Sequence, residues 1–123
     1  TLLIARDILM GNNNFEEIQN SLKISRNLLT ERLKTMIANK ILKKHVPKNK
    51  KRANYLPTER CSDLMRIFIS LSLWSDKWMP DTKRPKISAV VGGEDIPLDL
   101  KIISLGKTFE LEKKVKFSLS INK

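Results

Sequence analysis

Helical periodicity dominates the first forty residues and is interrupted by short polar turns. Leu2, Ala5, Ile8 and Leu9 follow helical spacing and predict a first helix, which ends at Gly11 and the asparagines after it. No signal-peptide pattern appears at the start, although the sequence opens directly in apolar residues, as if it began inside a helix.

A second and a third helix follow, separated by a tight connection. Phe15, Ile18 and Leu22 are spaced i, i+3 and i+7, and acidic residues occupy the first turn, where carboxylates favour the positive end of the helix dipole. Ser25 is a candidate N-cap for the third helix, which is predicted to run to about Asn39. The core face of that helix is predicted to hold Leu28, Leu29, Leu33 and either Met36 or Ile37.

A hairpin and a long helix are predicted next. Residues 41–46 and 52–56 have the composition of two short strands, and the five residues between them combine turn formers with positive charge. From Thr58 the pattern becomes helical again and stays so until Pro80.

The long helix is apolar over more of its circumference than one small domain covers, which predicts a dimer interface. The predicted interface residues are Leu64, Ile67, Phe68, Leu71, Trp74 and Trp78. The alternative is that the C-terminal segment of the same chain covers this face.

The chain changes character at residue 80. A polar linker leads into strand-like runs at residues 87–91, 96–105 and 115–121, which are rich in Val, Ile and Phe and predict a small antiparallel sheet or meander. The predicted organisation is an α+β fold with a helical domain carrying the hairpin at residues 1–79 and a β-rich extension at residues 80–123.

The positive charge is concentrated in the first half of the chain. The net charge is +11, and residues 1–56 alone carry twelve Lys or Arg against four Asp or Glu. A localised basic field suits a polyanionic partner, because each cation placed at a phosphate releases condensed counterions. A solvated lysine-rich surface is the alternative explanation of the same charge.

Residues that could support catalysis or bind a metal are scarce. Cys61 is the only cysteine and His45 the only histidine, and no acidic residue lies near His45 in the sequence to orient it. Since a glycine-rich phosphate loop is also missing, we expect no enzyme activity, no metal and no cofactor. The lone cysteine and the lack of an apolar run of ~20 residues favour a cytoplasmic protein without membrane association.

The order of short helix, tight turn, helix and basic hairpin is that of a winged helix-turn-helix domain, which places its third helix in a major groove of double-stranded DNA. Predicted contacts to bases come from Arg26, Asn27 and Thr30, and Ser25 and Lys34 are expected to hold phosphates. Glu31 shares the same outward face. The predicted wing contacts are Lys48, Lys50, Lys51 and Arg52.

Three stretches also resemble the HxlR-type winged-helix regulators of bacteria: LLIARDILMGNNNFEEI, LKISRNLLTERLKTMIANKIL and YLPTERCSDL. The resemblance covers residues 1–79 and includes the tryptophan near the end of the long helix. It implies a homodimer held by terminal helices, with one reading helix in each half of a palindromic operator. The chain departs from the family pattern at Lys40 and Cys61, where glycine is usual, and at Pro57, where leucine is usual.

Two other functions remain open from the sequence. A winged-helix module could dock its basic face on an acidic protein, in which case Arg26 and Asn27 would not affect DNA binding. A ligand sensor could use the C-terminal sheet, with Trp74 and Trp78, to enclose a small-molecule effector.

Overall fold

The computed structural model describes residues 1–81, 89–96, 101–104 and 107–110. It divides into two compact units, Thr1–Phe68 and Ile69–Lys123. The predicted domain boundary after residue 79 stays a prediction.

Three helices open the first unit: α1 (Leu2–Leu9), α2 (Phe15–Leu22) and α3 (Arg26–Ala38). Gly11 follows α1 with φ +105°, a conformation that glycine adopts without steric cost. Ser25 caps α3, as predicted, because its side-chain oxygen accepts a hydrogen bond from the backbone N–H of Leu28.

Two antiparallel strands, β1 (Leu42–His45) and β2 (Asn54–Pro57), form the predicted hairpin. The backbone of the segment before α2 extends this pairing. The N–H of Tyr55 donates to the carbonyl of Asn13 at 2.7 Å, and Asn14 forms an antiparallel bridge with Asn54. The hairpin and residues 46–53 between its strands, hereafter the wing, are therefore joined to the start of α2.

The core of the first unit lies between α1, α2, α3 and the base of the hairpin. Its buried apolar side chains are Ile4, Ala5, Ile8, Ile18, Leu29, Leu33, Met36, Leu42, Cys61 and Phe68. The prediction that Leu28 belongs to this core is wrong, since 41% of the residue is exposed. Successive helix positions are about 100° apart, so the burial of Leu29 turns Leu28 towards solvent.

The predicted single helix from Thr58 to Pro80 is two helices in the structure, α4 (Glu59–Ser62) and α5 (Met65–Trp78). Thr58 caps α4 by accepting from the N–H of Cys61. Its hydroxyl also lies 2.8 Å from the carbonyl oxygen of Lys40, to which it donates, and so ties the start of α4 to the end of α3.

Within the described residues of the second unit, four short strands follow: β3 (Ala89–Val91), β4 (Glu94–Ile96), β5 (Lys101–Ser104) and β6 (Lys107–Glu110). They form two antiparallel hairpins, β3 with β4 and β5 with β6. The strand predicted at residues 115–121 lies outside the described residues. Among the helices that the structure describes, none has both the length and the apolar character needed to cross a membrane.

The element order confirms the predicted α+β fold with a winged helix-turn-helix arrangement, a long helix after the wing and antiparallel β structure beyond it.

Candidate nucleic-acid interface

A three-residue connection sets the angle between α2 and α3. Lys23 ends α2 in the left-handed conformation, with φ 51°, and this reverses the chain. The side-chain amide of Gln19 donates to the carbonyl of Ile24 across the turn. Ser25 then caps the start of α3. Ile18 of α2 and Leu29 of α3 are both fully buried in the core of the first unit.

The outward face of α3 is polar, as predicted. Asn27, Glu31 and Lys34 are exposed, whereas Thr30 is half-buried. The Thr30 hydroxyl donates to the carbonyl of Arg26 at 2.8 Å, so its oxygen remains available as an acceptor while its proton is engaged. The exposed amide of Asn27 carries the donor and acceptor groups that can pair bidentately with adenine.

Arg26 has a partner that the sequence did not indicate. Its guanidinium carbon lies 5.1 Å from the centre of the Phe15 ring, which is a cation–π distance. The first side chain of α3 is therefore held against the first side chain of α2, on the flank of α3 that faces the wing.

The wing presents the predicted cations. Lys48, Lys50 and Lys51 are exposed, and the N–H of Lys50 donates to the carbonyl of Pro47 in the turn at the tip. Arg52 differs from them because its guanidinium Nη1 lies 2.7 Å from Oε2 of Glu16 in an ion pair.

The start of α2, the start of α3 and the wing enclose an open cleft of about 280 Å³, hereafter the wing cleft. Desolvation by burial raises the pKa of Tyr55, one of the residues that line the cleft, above its ordinary value. The residues that line the wing cleft are Asn14, Phe15, Glu16, Arg26, Lys44, Arg52, Ala53 and Tyr55.

Of the nine predicted DNA contacts, the structure brings Arg26 and Arg52 together in the wing cleft and leaves most of the others on the exposed surface of α3 and the wing tip. Sequence reasoning missed Glu16, Lys44 and Tyr55. Lys44 was visible as part of the basic run, but the pairing of Glu16 with Arg52 joins positions 36 apart and has no local signal.

Helix α5, which was predicted to form the dimer interface, has a stripe of exposed apolar side chains along it. Ile67, Leu71, Trp74 and Trp78 recur at spacings of four, three and four residues, and 47% to 64% of each is exposed. Leu64 lies in the turn before α5 and is half-buried. Phe68 is only 7% exposed and packs in the core of the first unit, which leaves little of it for a partner.

Comparisons with known proteins agree with this geometry. The family model for the HxlR-like helix-turn-helix matches residues 1–83. No curated protein is similar enough to count as a match.

Three solved structures are similar in fold. A candidate transcription factor, PA1607, superposes with a TM-score of 0.69 at 22% identity, covering 82% of this chain and 73% of the other. A second candidate transcription factor, PA1374 from Pseudomonas aeruginosa, gives 0.63 at 24% identity, with coverage of 97% and 82%. The transcriptional regulator YodB from B. subtilis, in its reduced form, gives 0.53 at 28% identity, with coverage of 66% and 81%.

Proposed function

The chain belongs to the HxlR-like helix-turn-helix family of DNA-binding transcription regulators, and we propose that it binds a palindromic operator sequence-specifically as a homodimer in the cytoplasm. The observation that carries this proposal is the wing cleft. There the start of the reading helix α3 and the basic wing share one surface, so a duplex that receives α3 in its major groove brings phosphates to the wing.

The contacts divide by chemistry. Asn27 pairs with adenine, Arg26 with guanine, and Thr30 accepts from an exocyclic amino group. Ser25 and Lys34 hold phosphates beside α3, whereas Lys48, Lys50, Lys51 and Arg52 hold phosphates beside the wing. The Ser25 oxygen already accepts from Leu28, so its hydroxyl proton is the group offered to a phosphate oxygen.

Dimerisation places two reading helices on one duplex. The stripe of Ile67, Leu71, Trp74 and Trp78 has the spacing of a helix-pair seam, and pairing with a second copy would remove its large apolar surface from water. Half-sites are then expected about 34 Å apart, which is one turn of B-DNA.

Selection from a random duplex library, followed by binding titrations of the selected and a random duplex, tests sequence-specific binding. Asn27→Ala is expected to reduce discrimination between the two duplexes by about 1–3 kcal/mol, because alanine cannot pair bidentately with a base. Asn20→Ala makes the same chemical change at an exposed position of α2 and is the control, expected to keep the discrimination. If no duplex binds even at low salt, DNA binding is excluded and an acidic protein partner becomes the better explanation of the basic face.

Sedimentation equilibrium tests the dimer. Leu71→Asp places a charge in the middle of the stripe and is expected to yield monomers. Ser72→Asp adds the same charge about 100° further round α5 and is expected to remain dimeric. If both variants formed dimers of equal stability, α5 would not be part of the dimer interface.

A further inference from the structure

The wing cleft holds a carboxylate whose charge is opposite to that of its surroundings. Glu16 stands in the first turn of α2, and its Oε2 accepts a hydrogen bond from Nη1 of Arg52 at 2.7 Å. Arg26 and Lys44 line the same cleft, so three cations border it and Glu16 is the one acidic residue among the lining residues. An anion that entered the cleft would meet Arg52 already paired.

The ion pair is exposed enough to exchange partners. The side chain of Arg52 is 76% exposed and that of Glu16 is 59% exposed. Pairs this open to water contribute about 0–1 kcal/mol to stability. Glu16 therefore orients Arg52 only through a weak ion pair, and a stronger hydrogen-bond acceptor could replace the carboxylate.

A phosphodiester is such an acceptor. Guanidinium groups bind its oxygens bidentately, and the volume of about 280 Å³ is far above the ~10–15 Å³ that one water molecule needs. The cleft also lies where α3 and the wing meet, so a backbone phosphate flanking the base contacts of α3 would reach it.

We propose that the wing cleft is a phosphodiester subsite for duplex DNA, in which Glu16 acts as an internal anion that occupies Arg52 in the free protein and is replaced there by a backbone phosphate. This inference rests on the proposed function. Glu16 is thus a positioning residue that lowers the affinity for any duplex, because its carboxylate must give up Arg52 and then stands close to a second negative charge.

The salt dependence of binding carries the signature of this exchange. Placing Arg52 at a phosphate releases a counterion from DNA, but the freed carboxylate takes up a cation from solution and offsets that release. Removing the carboxylate removes the offset, so the slope of log K against log salt is expected to become steeper.

A double-mutant cycle on the full chain tests the proposal, with a random-sequence duplex of about 25 base pairs as the probe at several salt concentrations. E16Q is expected to bind about threefold to tenfold more tightly, equivalent to about 0.7–1.4 kcal/mol, with a steeper slope. In the R52Q background the same change is expected to have no more effect than E59Q, which removes one exposed negative charge away from the cleft. E16D keeps the carboxylate and is expected to restore the wild-type slope.

The exchange would be overturned if E16Q raised the affinity for the duplex equally with and without Arg52, or by no more than E59Q does. In either case, duplex binding by the wild-type chain would still uphold the proposed function. Absence of duplex binding by the wild-type chain would overturn both. Circular dichroism of each variant confirms that the fold is kept.

Discussion

Asn14 and Glu17 cap each other at the start of α2. The Asn14 side-chain oxygen accepts from the N–H of Glu17 at 3.0 Å, and Oε2 of Glu17 accepts from the N–H groups of Asn13 and Asn14. This capping box satisfies N–H groups that the helix itself cannot bond. Because the same segment pairs with β2, the cap also fixes the wing relative to α2.

Asn14→Ala is therefore expected to lower the free energy of unfolding by about 0.5–2 kcal/mol, the range for removal of an N-cap. Urea unfolding followed by circular dichroism measures it. Asn20→Ala, in the exposed part of α2, is the matched control and is expected to be neutral or slightly stabilising, since alanine is the better helix former. Equal destabilisation of both variants would mean that the cap contributes nothing.

Two adjacent leucines of α3 provide a direct test of the core. Leu29 is fully buried whereas Leu28 is 41% exposed. Leu29→Ala is expected to cost about 2–5 kcal/mol, through reduced burial and the cavity left behind, but Leu28→Ala is expected to cost less than about 1 kcal/mol. Thermal or urea unfolding of the pair checks the assignment, and similar costs in both variants would contradict the observed orientation of α3.

The helices of the first unit could be predicted because their signals are local. Helical spacing and the Ser25 cap placed α3 to within a residue, and the predicted strands differ from β1 and β2 by one or two residues at each end. The break between α4 and α5 was missed because Asp63 and Leu64, which lie in it, do not interrupt the apolar periodicity. Sequence could not reveal the partner of Arg52, because Glu16 lies on an element distant in the chain. It could not reveal the partner of Arg26 either, because the contact with Phe15 depends on the angle that the turn sets between α2 and α3.

Lys40, two residues after the end of α3, adopts a conformation that favours glycine, with φ 56°. Its N–H donates to the carbonyl of Ile37, and the N–H of Ile41 donates to that of Met36, which is the hydrogen-bond pattern of a Schellman motif with Lys40 at its left-handed position. Glycine, the residue expected here from the family pattern, avoids the steric cost of a side chain in this region.

Lys40→Gly is accordingly expected to raise the free energy of unfolding by about 0.5–1 kcal/mol, with the strain relieved offset in part by the greater entropy of the unfolded glycine. Lys43→Gly, in strand β1, removes the same side chain where the backbone is extended, and it is expected to be destabilising. The midpoints of urea unfolding of the two variants measure these changes in stability. Destabilisation by both substitutions would show that the backbone of Lys40 is not strained.

Cys61 is expected to make the free energy of unfolding depend on pH in the alkaline range. The residue is fully buried, and burial raises the pKa of its thiol above the ordinary value of 9.0. Above about pH 9 the unfolded chain gains stability by ionising, whereas the folded chain holds a neutral thiol. The contribution of this group is therefore fully present below pH 9 and is lost as pH rises towards the folded pKa.

In the alkaline range above about pH 9 the free energy of unfolding is expected to fall by up to ~1.4 kcal/mol per pH unit from this group alone, and the fall is expected to be shallower in Cys61→Ala. Urea titrations across that range measure the difference. The same pH dependence in both proteins would assign the effect to another group, of which Tyr55, with its raised pKa, is the first to test by Tyr55→Phe.

The exposed wing tip should determine how strongly duplex binding depends on salt. Lys50 sits in the turn closed by its N–H bond to Pro47, and its side chain is open to solvent. Lys50→Gln is expected to weaken binding to selected and random duplexes by the same factor, and to reduce the slope of log K against log salt by ~0.9 for each phosphate that is no longer neutralised, or ~1.8 in a dimer. Lys50→Arg keeps the charge and is expected to keep the slope. A Lys50→Gln variant that loses discrimination between the two duplexes while keeping the wild-type slope would instead make Lys50 a base-reading residue.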